Sequence, residues 1–159
     1  MKKSHLLRNP IHLLAVGFGS GLAPKAPGTF GTLAAIPLVW LAQQSGNVGY
    51  LVLTLLVVIA GIGICSYTAK AIGEHDSPAI VWDEIAGYMV AFIGLPWSWQ
   101  NLVLAFVLFR LLDITKPGPI GWCDRKLQGG LGIMADDVVA GVATGLTLQL
   151  GYVILNLFH

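Results

Sequence analysis

Every formally charged side chain of this chain falls in one of three stretches, 2–25, 70–84 and 110–137, which hold four, five and eight of the nine Lys+Arg and eight Asp+Glu. The segments between and after them are apolar and uncharged. If those segments cross a bilayer, counting crossings puts all three charged stretches on one side. This pattern predicts a membrane protein with a single polar face, and that face carries more acids than anchoring needs.

Composition supports the membrane reading. Only 11% of the 159 residues are charged and 55% are hydrophobic, against about 25% charged in a soluble domain. Mean hydropathy is +0.75. The length predicts one domain, 1–159. A net charge of +1 without a basic run gives no reason to expect nucleic acid. Cys65 lies in an apolar segment and Cys123 in a charged one, with no metal-type spacing, so neither a disulfide nor a thiolate site is expected. Lys2, Lys3 and Arg8 precede Ile11–Phe18 as in a signal peptide. The apolar run breaks at Gly17, Gly19 and Gly21 without a small-residue cleavage site, so this end reads as retained, with a short or dipping helix at 9–18.

The apolar segments are 29–45, 49–72, 84–95, 99–113 and 135–158. They predict an all-α bundle of about five membrane-embedded helices, some of them short or dipping. Tyr50–Thr68 comes close to the roughly 20 residues a bilayer core requires. Thr29–Ala42 would make only about 21 Å of helix at 1.5 Å per residue, and Glu84–Leu95 less. Ser45–Gly49 and Gly94–Gln100 are uncharged turns, the second with Trp97 and Trp99 suited to an interfacial belt. The predicted order has the N-terminus, 73–83 and 114–134 inside, with turns 45–49 and 95–99 and the C-terminus outside. Every Lys and Arg then lies on the cytoplasmic side, as the positive-inside rule asks.

Five acids fall at the predicted cytoplasmic ends of three helices: Asp83, Glu84, Asp113, Asp136 and Asp137. One acid there is a helix cap or a solvated surface group. Five together would repel one another without a cation, and converging carboxylates suit a hard ion such as Mg²⁺. The two acid pairs echo one another, each followed about a turn later by a small residue, Gly87 or Gly141. Such residues let a second helix approach closely. Arg110 and Lys116 lie on either side of Asp113 and could take phosphate oxygens. Gly17–Gly21 and Ala23–Thr32 contain Lys25, Thr29 and Thr32 ahead of a helix start, a place that favours an anion. No strand precedes these glycines and no Gly-Lys-Ser/Thr follows, which excludes a dinucleotide fingerprint or a P-loop.

Gly129–Gly132 reads as a loop able to fold over the acids, and Asp124, Arg125 and Lys126 read as a solvated loop. His5, His12, His75 and His159 are isolated and are given no ligand role, and Ser20 has no evident partner for nucleophilic chemistry. An anion pocket meeting a carboxylate cluster at a membrane surface suits metal-assisted attack on a phosphate carried by a lipid.

Four blocks carry a family likeness: Gly17–Gly21 with Ala26–Thr32; Asp83-Glu84-Ile85-Ala86-Gly87; Phe109 through Ile120; and Gly129–Met134 with Asp136-Asp137. On these the chain resembles the phosphatidylglycerophosphatase A family. The resemblance implies a multi-pass enzyme of the bacterial inner membrane that removes the terminal phosphate of phosphatidylglycerophosphate with Mg²⁺. It implies no obligate protein partner beyond the bilayer and its lipid substrate. Within that frame, Asp83, Glu84, Asp113 and Asp137 are expected to hold the cation and act in catalysis, with Asp136 as a fifth candidate ligand. Lys25, Arg110 and Lys116 are expected to hold the phosphate, with Thr29 and Thr32 as neutral donors. The D-x-D of aspartyl-phosphate enzymes is missing after Asp113, and no C-x₅-R surrounds Cys123. A metal-activated water is therefore favoured over a phosphoenzyme, with the nucleophile left open. A cation-coupled transporter and a non-catalytic lipid-binding protein are the rival classes. The uncharged middles of the spans argue against the transporter.

Overall fold

A computed structural model of the chain describes residues 6–74 and 77–157. Lys2, Lys3, His5, His75 and His159 lie outside the described residues. The described residues are helical, without strands. In chain order they form α1 (Pro10–Ala15), a 3-10 segment (Gly17–Leu22), α2 (Pro27–Gln43), α3 (Gly46–Ile72), α4 (Trp82–Ala91), α5 (Trp99–Thr115), α6 (Pro119–Lys126) and α7 (Gly129–Leu157).

Each expected apolar segment is a helix. α3 and α7 have 27 and 29 residues and are therefore about 40 Å long, enough to cross a hydrocarbon core of about 30 Å. Only 22% of the most apolar window of each is buried, which is the opposite of a core helix in a soluble protein. Leu51, Leu55, Leu56 and Ile59 on α3 and Val142, Leu146, Leu150 and Val153 on α7 face outward, where lipid would solvate them. α2 and α5 have 17 residues each, or about 25 Å, and fall short of a straight crossing.

α4 is too short to cross, and it is the centre of the molecule. All of its residues except Glu84 are buried. It packs on α7 through backbone rather than side chains. A Cβ on Gly87 would lie 2.6 Å from the Asp137 carbonyl oxygen and 2.8 Å from the Phe109 ring, and one on Gly145 would lie 3.0 Å from the Ala91 carbonyl oxygen. Gly141 in turn lies against the Gly87 carbonyl, with no room for a side chain. The two small residues that follow the acid pairs therefore meet each other, which gives the close helix approach expected of each. Two tyrosines inside the bundle find backbone partners: Tyr50 donates to the Met89 carbonyl at 2.7 Å and Tyr88 to that of Leu102 at 2.9 Å.

Two expectations are corrected. The stretch 114–134 is not a loop, because Pro119 opens α6 and buries Ile120 and Cys123. α7 starts at Gly129 rather than 135, so Asp136 and Asp137 lie about two turns inside it rather than at its tip. Gly130 has no space for a side chain against the Ile62 carbonyl. It is an α3–α7 packing residue, not a hinge. The uncharged turns do come together at the opposite end, where Gln43, Asn47, Tyr50, Leu95 and Trp97 border a common recess. Tyr152, near the end of α7, donates to Asn101 at the start of α5 over 2.5 Å. The acids therefore share one end of the bundle, and the uncharged turns share the other.

Candidate active site

The acid-bearing helix ends enclose a cleft of about 330 Å³ lined by Ser77, Asp83, Glu84, Asp113, Lys116, Asp124, Asp136 and Asp137, with Pro78, Ile80, Gly132 and Ile133 as its apolar walls. Three helices supply the five expected acids. Asp83 and Glu84 occupy the first turn of α4, where the helix dipole favours negative charge. Asp113 closes the last turn of α5, and Asp136 and Asp137 come from α7.

The glycine-rich N-terminal segment positions the first pair. Gly17 sits against the Val81 and Ile85 side chains, Gly21 against the Ala79 carbonyl and Gly31 against Val81. The Val81 amide donates to the Ala15 carbonyl at 2.9 Å. Phe18 and Gly19 adopt positive φ, 57° and 103°, so the segment can coil tightly enough to hold residues 79–81. Its glycines act by close packing on the entry to α4. Gly28 at the start of α2 touches Glu84 and lies 3.0 Å, by its virtual Cβ, from the Arg110 guanidinium.

Carboxylate oxygens of Asp83, Glu84 and Asp137 lie within 4.8 Å of one another, and so do those of Asp113, Asp136 and Asp137. Each group is compact enough for its side chains to close on one cation by rotamer adjustment. Asp83 is 8% exposed. Its Oδ1 and the Oε2 of Glu84 are buried and accept no hydrogen bond among the described residues. Buried anionic oxygens without a donor are costly. An all-oxygen, anionic set with such atoms fits a hard divalent cation.

The basic residues divide. Lys116 enters the cleft, with its Nζ 2.5 Å from an Asp124 oxygen and 2.6 Å from one of Asp136. Burial works against its charge, but hydrogen bonds from Asp124 and Asp136 and their charges outweigh it, so the ammonium pKa is raised. Lys116 also caps α5 at φ +45°, a left-handed conformation that a non-glycine residue adopts at a cost and that functional sites retain. Arg110 lies outside the cleft lining. It pairs with Asp113, and its Nη1 is 3.8 Å from Glu84, so it ties two of the acids together from behind. Lys25 is exposed, Thr29 is half-buried, and Thr32 is buried and donates to the Gly28 carbonyl at 2.9 Å. None of these three lines the cleft.

Two lining residues were not singled out from the sequence. Ser77 follows the third helix and gave no pattern signal. Asp124, read as part of a solvated loop, is a rim residue of α6, and its pairing with Lys116 could have been sought once Pro119 was taken as a helix start. Arg125 and Lys126 are exposed, as expected. His12 is buried, with its Nδ1 2.9 Å from the Thr68 hydroxyl, and lies outside the cleft.

No solved structure matches the chain significantly. Among curated proteins, phosphatidylglycerophosphatase A of Escherichia coli (strain K12) is 48% identical over 153 residues, covering 94% of this chain and 89% of that protein. The protein of the same name from Haemophilus influenzae is 49% identical over 144 residues, covering 89% and 88%. A putative phosphatidylinositol-3-phosphatase of Bacteroides thetaiotaomicron is 36% identical over 148 residues, covering 82% and 86%. The family model for phosphatidylglycerophosphatase A matches residues 13–152, a span that contains every residue of the cleft, and the chain belongs to the phosphatidylglycerophosphatase A family.

Proposed function

We propose that this enzyme hydrolyses the terminal phosphate of phosphatidylglycerophosphate to give phosphatidylglycerol, with Mg²⁺, at the cytoplasmic face of the bacterial inner membrane. The observation that carries the reading is the cleft itself. Six acids and Lys116 converge at one end of a bundle whose flanks are apolar. A lipid phosphate could reach such a cleft while its acyl chains stay beside α3 and α7. Lys116 lines the cleft, Arg110 pairs with Asp113 and Glu84 beside it, and Arg125 and Lys126 lie on α6 with Asp124, which supports a cytoplasmic orientation. α2, α4 and α5 would complete a multi-pass domain around the two long helices.

Asp83, Glu84, Asp113 and Asp137 would hold the cation, with Asp136 beside them. When bound, it supplies Lewis-acid polarisation of the phosphoryl oxygens and lowers the pKa of water. Lys116, kept protonated by its acidic neighbours, would lie against the phosphate oxygens and offset charge that builds there. Arg110 would fix Glu84 and Asp113 in place and lend its charge from behind. Lys25, Thr29 and Thr32 would act at the approach to the cleft. The water oxygen forms a bond to phosphorus, and the bond from phosphorus to the glycerol oxygen breaks. One water proton passes to a cluster carboxylate, which returns it to the departing alkoxide to give the free hydroxyl of phosphatidylglycerol.

Purified protein in detergent should release phosphate from phosphatidylglycerophosphate only with Mg²⁺ present. A phosphoinositide monophosphate run alongside reads head-group selectivity. Lipid binding without phosphate release, under conditions that keep the fold, would replace the enzyme with a lipid-binding protein.

A further inference from the structure

We infer that the cleft binds two divalent cations that share Asp137. The inference rests on reading the cleft as a cation-dependent phosphomonoesterase centre, and it adds the number of ions and the ligands of each. The acids form two overlapping groups of three: Asp83, Glu84 and Asp137, and Asp113, Asp136 and Asp137. Asp137, 3% exposed, is the one member of both.

The two groups are held differently. In the first, Asp83 Oδ1 and Glu84 Oε2 are buried without a hydrogen-bond donor. In the second, Asp113 is paired with Arg110 and Asp136 with Lys116. Among the described residues, the first group has only the Arg110 contact to Glu84 at 3.8 Å, with two oxygens left without a donor, and has the stronger demand for an ion. The second already carries basic partners and should bind an ion more weakly. Bridged two-ion centres are a recurring solution for in-line displacement at phosphorus.

Charge balance favours the second ion. The five ligand acids are ionised when they hold a metal, and with Asp124 on Lys116 they bring six negative charges. Arg110 and Lys116 return two, leaving −4. One divalent ion would leave −2, and the cleft would then have to attract a phosphomonoester of about −1.5 to −2. Two ions bring the cleft to neutrality before the phosphate arrives.

The test is a Mn²⁺ titration of the detergent-purified, metal-stripped full chain, followed by electron paramagnetic resonance and calorimetry, with Mg²⁺ competition. Wild type should bind two ions per chain in a tighter and a weaker step, with spin coupling between them. Asp83→Asn should lose the tighter step, Asp136→Asn the weaker one, and Asp137→Asn both. Should Asp137→Asn not fold, the other two variants still decide, since each must retain one uncoupled ion. One ion in wild type, or two uncoupled ions unaffected by Asp137→Asn in folded protein, overturns the inference. Cation-dependent phosphate release with a single ion would retain the function and remove the bridge. Two coupled ions without phosphate release would do the reverse.

Discussion

Replacing Gly87 with alanine should damage the active site without altering any residue in it. A Cβ at this position would lie 2.6 Å from the Asp137 carbonyl oxygen and 2.8 Å from Phe109. Ordinary contact begins near 3.4 Å, so α4 and α7 must separate by about 0.8 Å, or Asp137 must move by that amount. The added methyl overpacks the bundle, at about 1–3 kcal/mol. That cost is shared by several helix contacts and should leave the fold in place. The displacement falls directly on the distance between Asp83, Glu84 and Asp137. Mg²⁺ needs near-ideal geometry at 2.0–2.1 Å, and a misplacement of about 1 Å can cost about 100-fold in rate. Phosphate release measured across Mg²⁺ concentration should show a raised Mg²⁺ requirement and a turnover lower by about 100-fold. Circular dichroism in the same detergent should stay helical. Gly63→Ala is the matched control, since nothing lies within 4 Å of its virtual Cβ, and it should behave as wild type. A Gly87→Ala enzyme with normal turnover and normal Mg²⁺ dependence would refute the claim that the α4–α7 approach sets the carboxylate geometry.

Asp83→Asn and Asp113→Asn should each lower turnover at least ~100-fold, about 2.7 kcal/mol of barrier, with the helical spectrum unchanged; near-normal rates in both would remove the cation centre. Lys116→Ala should lower kcat/KM by at least ~10-fold, whereas Lys25→Ala, outside the cleft, should change kcat by less than ~3-fold, and the reverse ranking would mean that the phosphate sits elsewhere. Arg110→Lys keeps the charge but loses the fork that spans Glu84 and Asp113, so the Mg²⁺ requirement should rise more than the lipid KM. Reporter fusions after Leu157 should lie on the opposite side of the membrane from fusions in the Leu127–Gln128 link between α6 and α7; finding both on one side would break the proposed topology.

The acids were legible because charge is scarce in this chain. Asp83, Glu84, Asp113, Asp136 and Asp137 stand out against uncharged helices, and the structure brings them to one cleft. That small residues follow each acid pair and allow a close helix approach was legible too; that Gly87 and Gly141 meet each other was not. The start of α7 was not. Gly129, Gly130 and Gly132 read as a loop because glycine is a poor helix former, yet packing against the Ile62 carbonyl requires a residue without a side chain at Gly130, and tertiary contact overrode propensity. Arg110 and Lys116 could not be told apart from sequence, since both lie within a turn of Asp113. Their rotation about α5 and its left-handed cap turns one behind the acids and the other into the cleft. Nor could spacing reveal that Lys25, Thr29 and Thr32 lie off the cleft, because the coil at Phe18 and Gly19 decides how α2 is delivered.

The same packing that builds the site also carries its cost. Isolated carboxylates held close together in a partly dry cleft disfavour the folded chain, and buried anions without donors do so most. Arg110 and Lys116 offset part of that repulsion, but Asp83 and Glu84 retain oxygens with no donor. The remainder must be offset by a bound cation or by helix packing that does not depend on the acids. α4 supplies the second. It is buried along its length, held from one side by the Gly17–Gly31 segment and from the other by α7. Packing close enough to exclude side chains at Gly21, Gly87 and Gly141 leaves the acid-bearing ends little freedom to splay. The bundle therefore keeps its ligands grouped within 4.8 Å before any ion binds, which limits the cost of gathering them. In this view the glycines and the acids form one device. The glycines hold together charges that would otherwise separate, and this confinement gives a chain with only eight acids a concentrated demand for cations at one end of an apolar bundle.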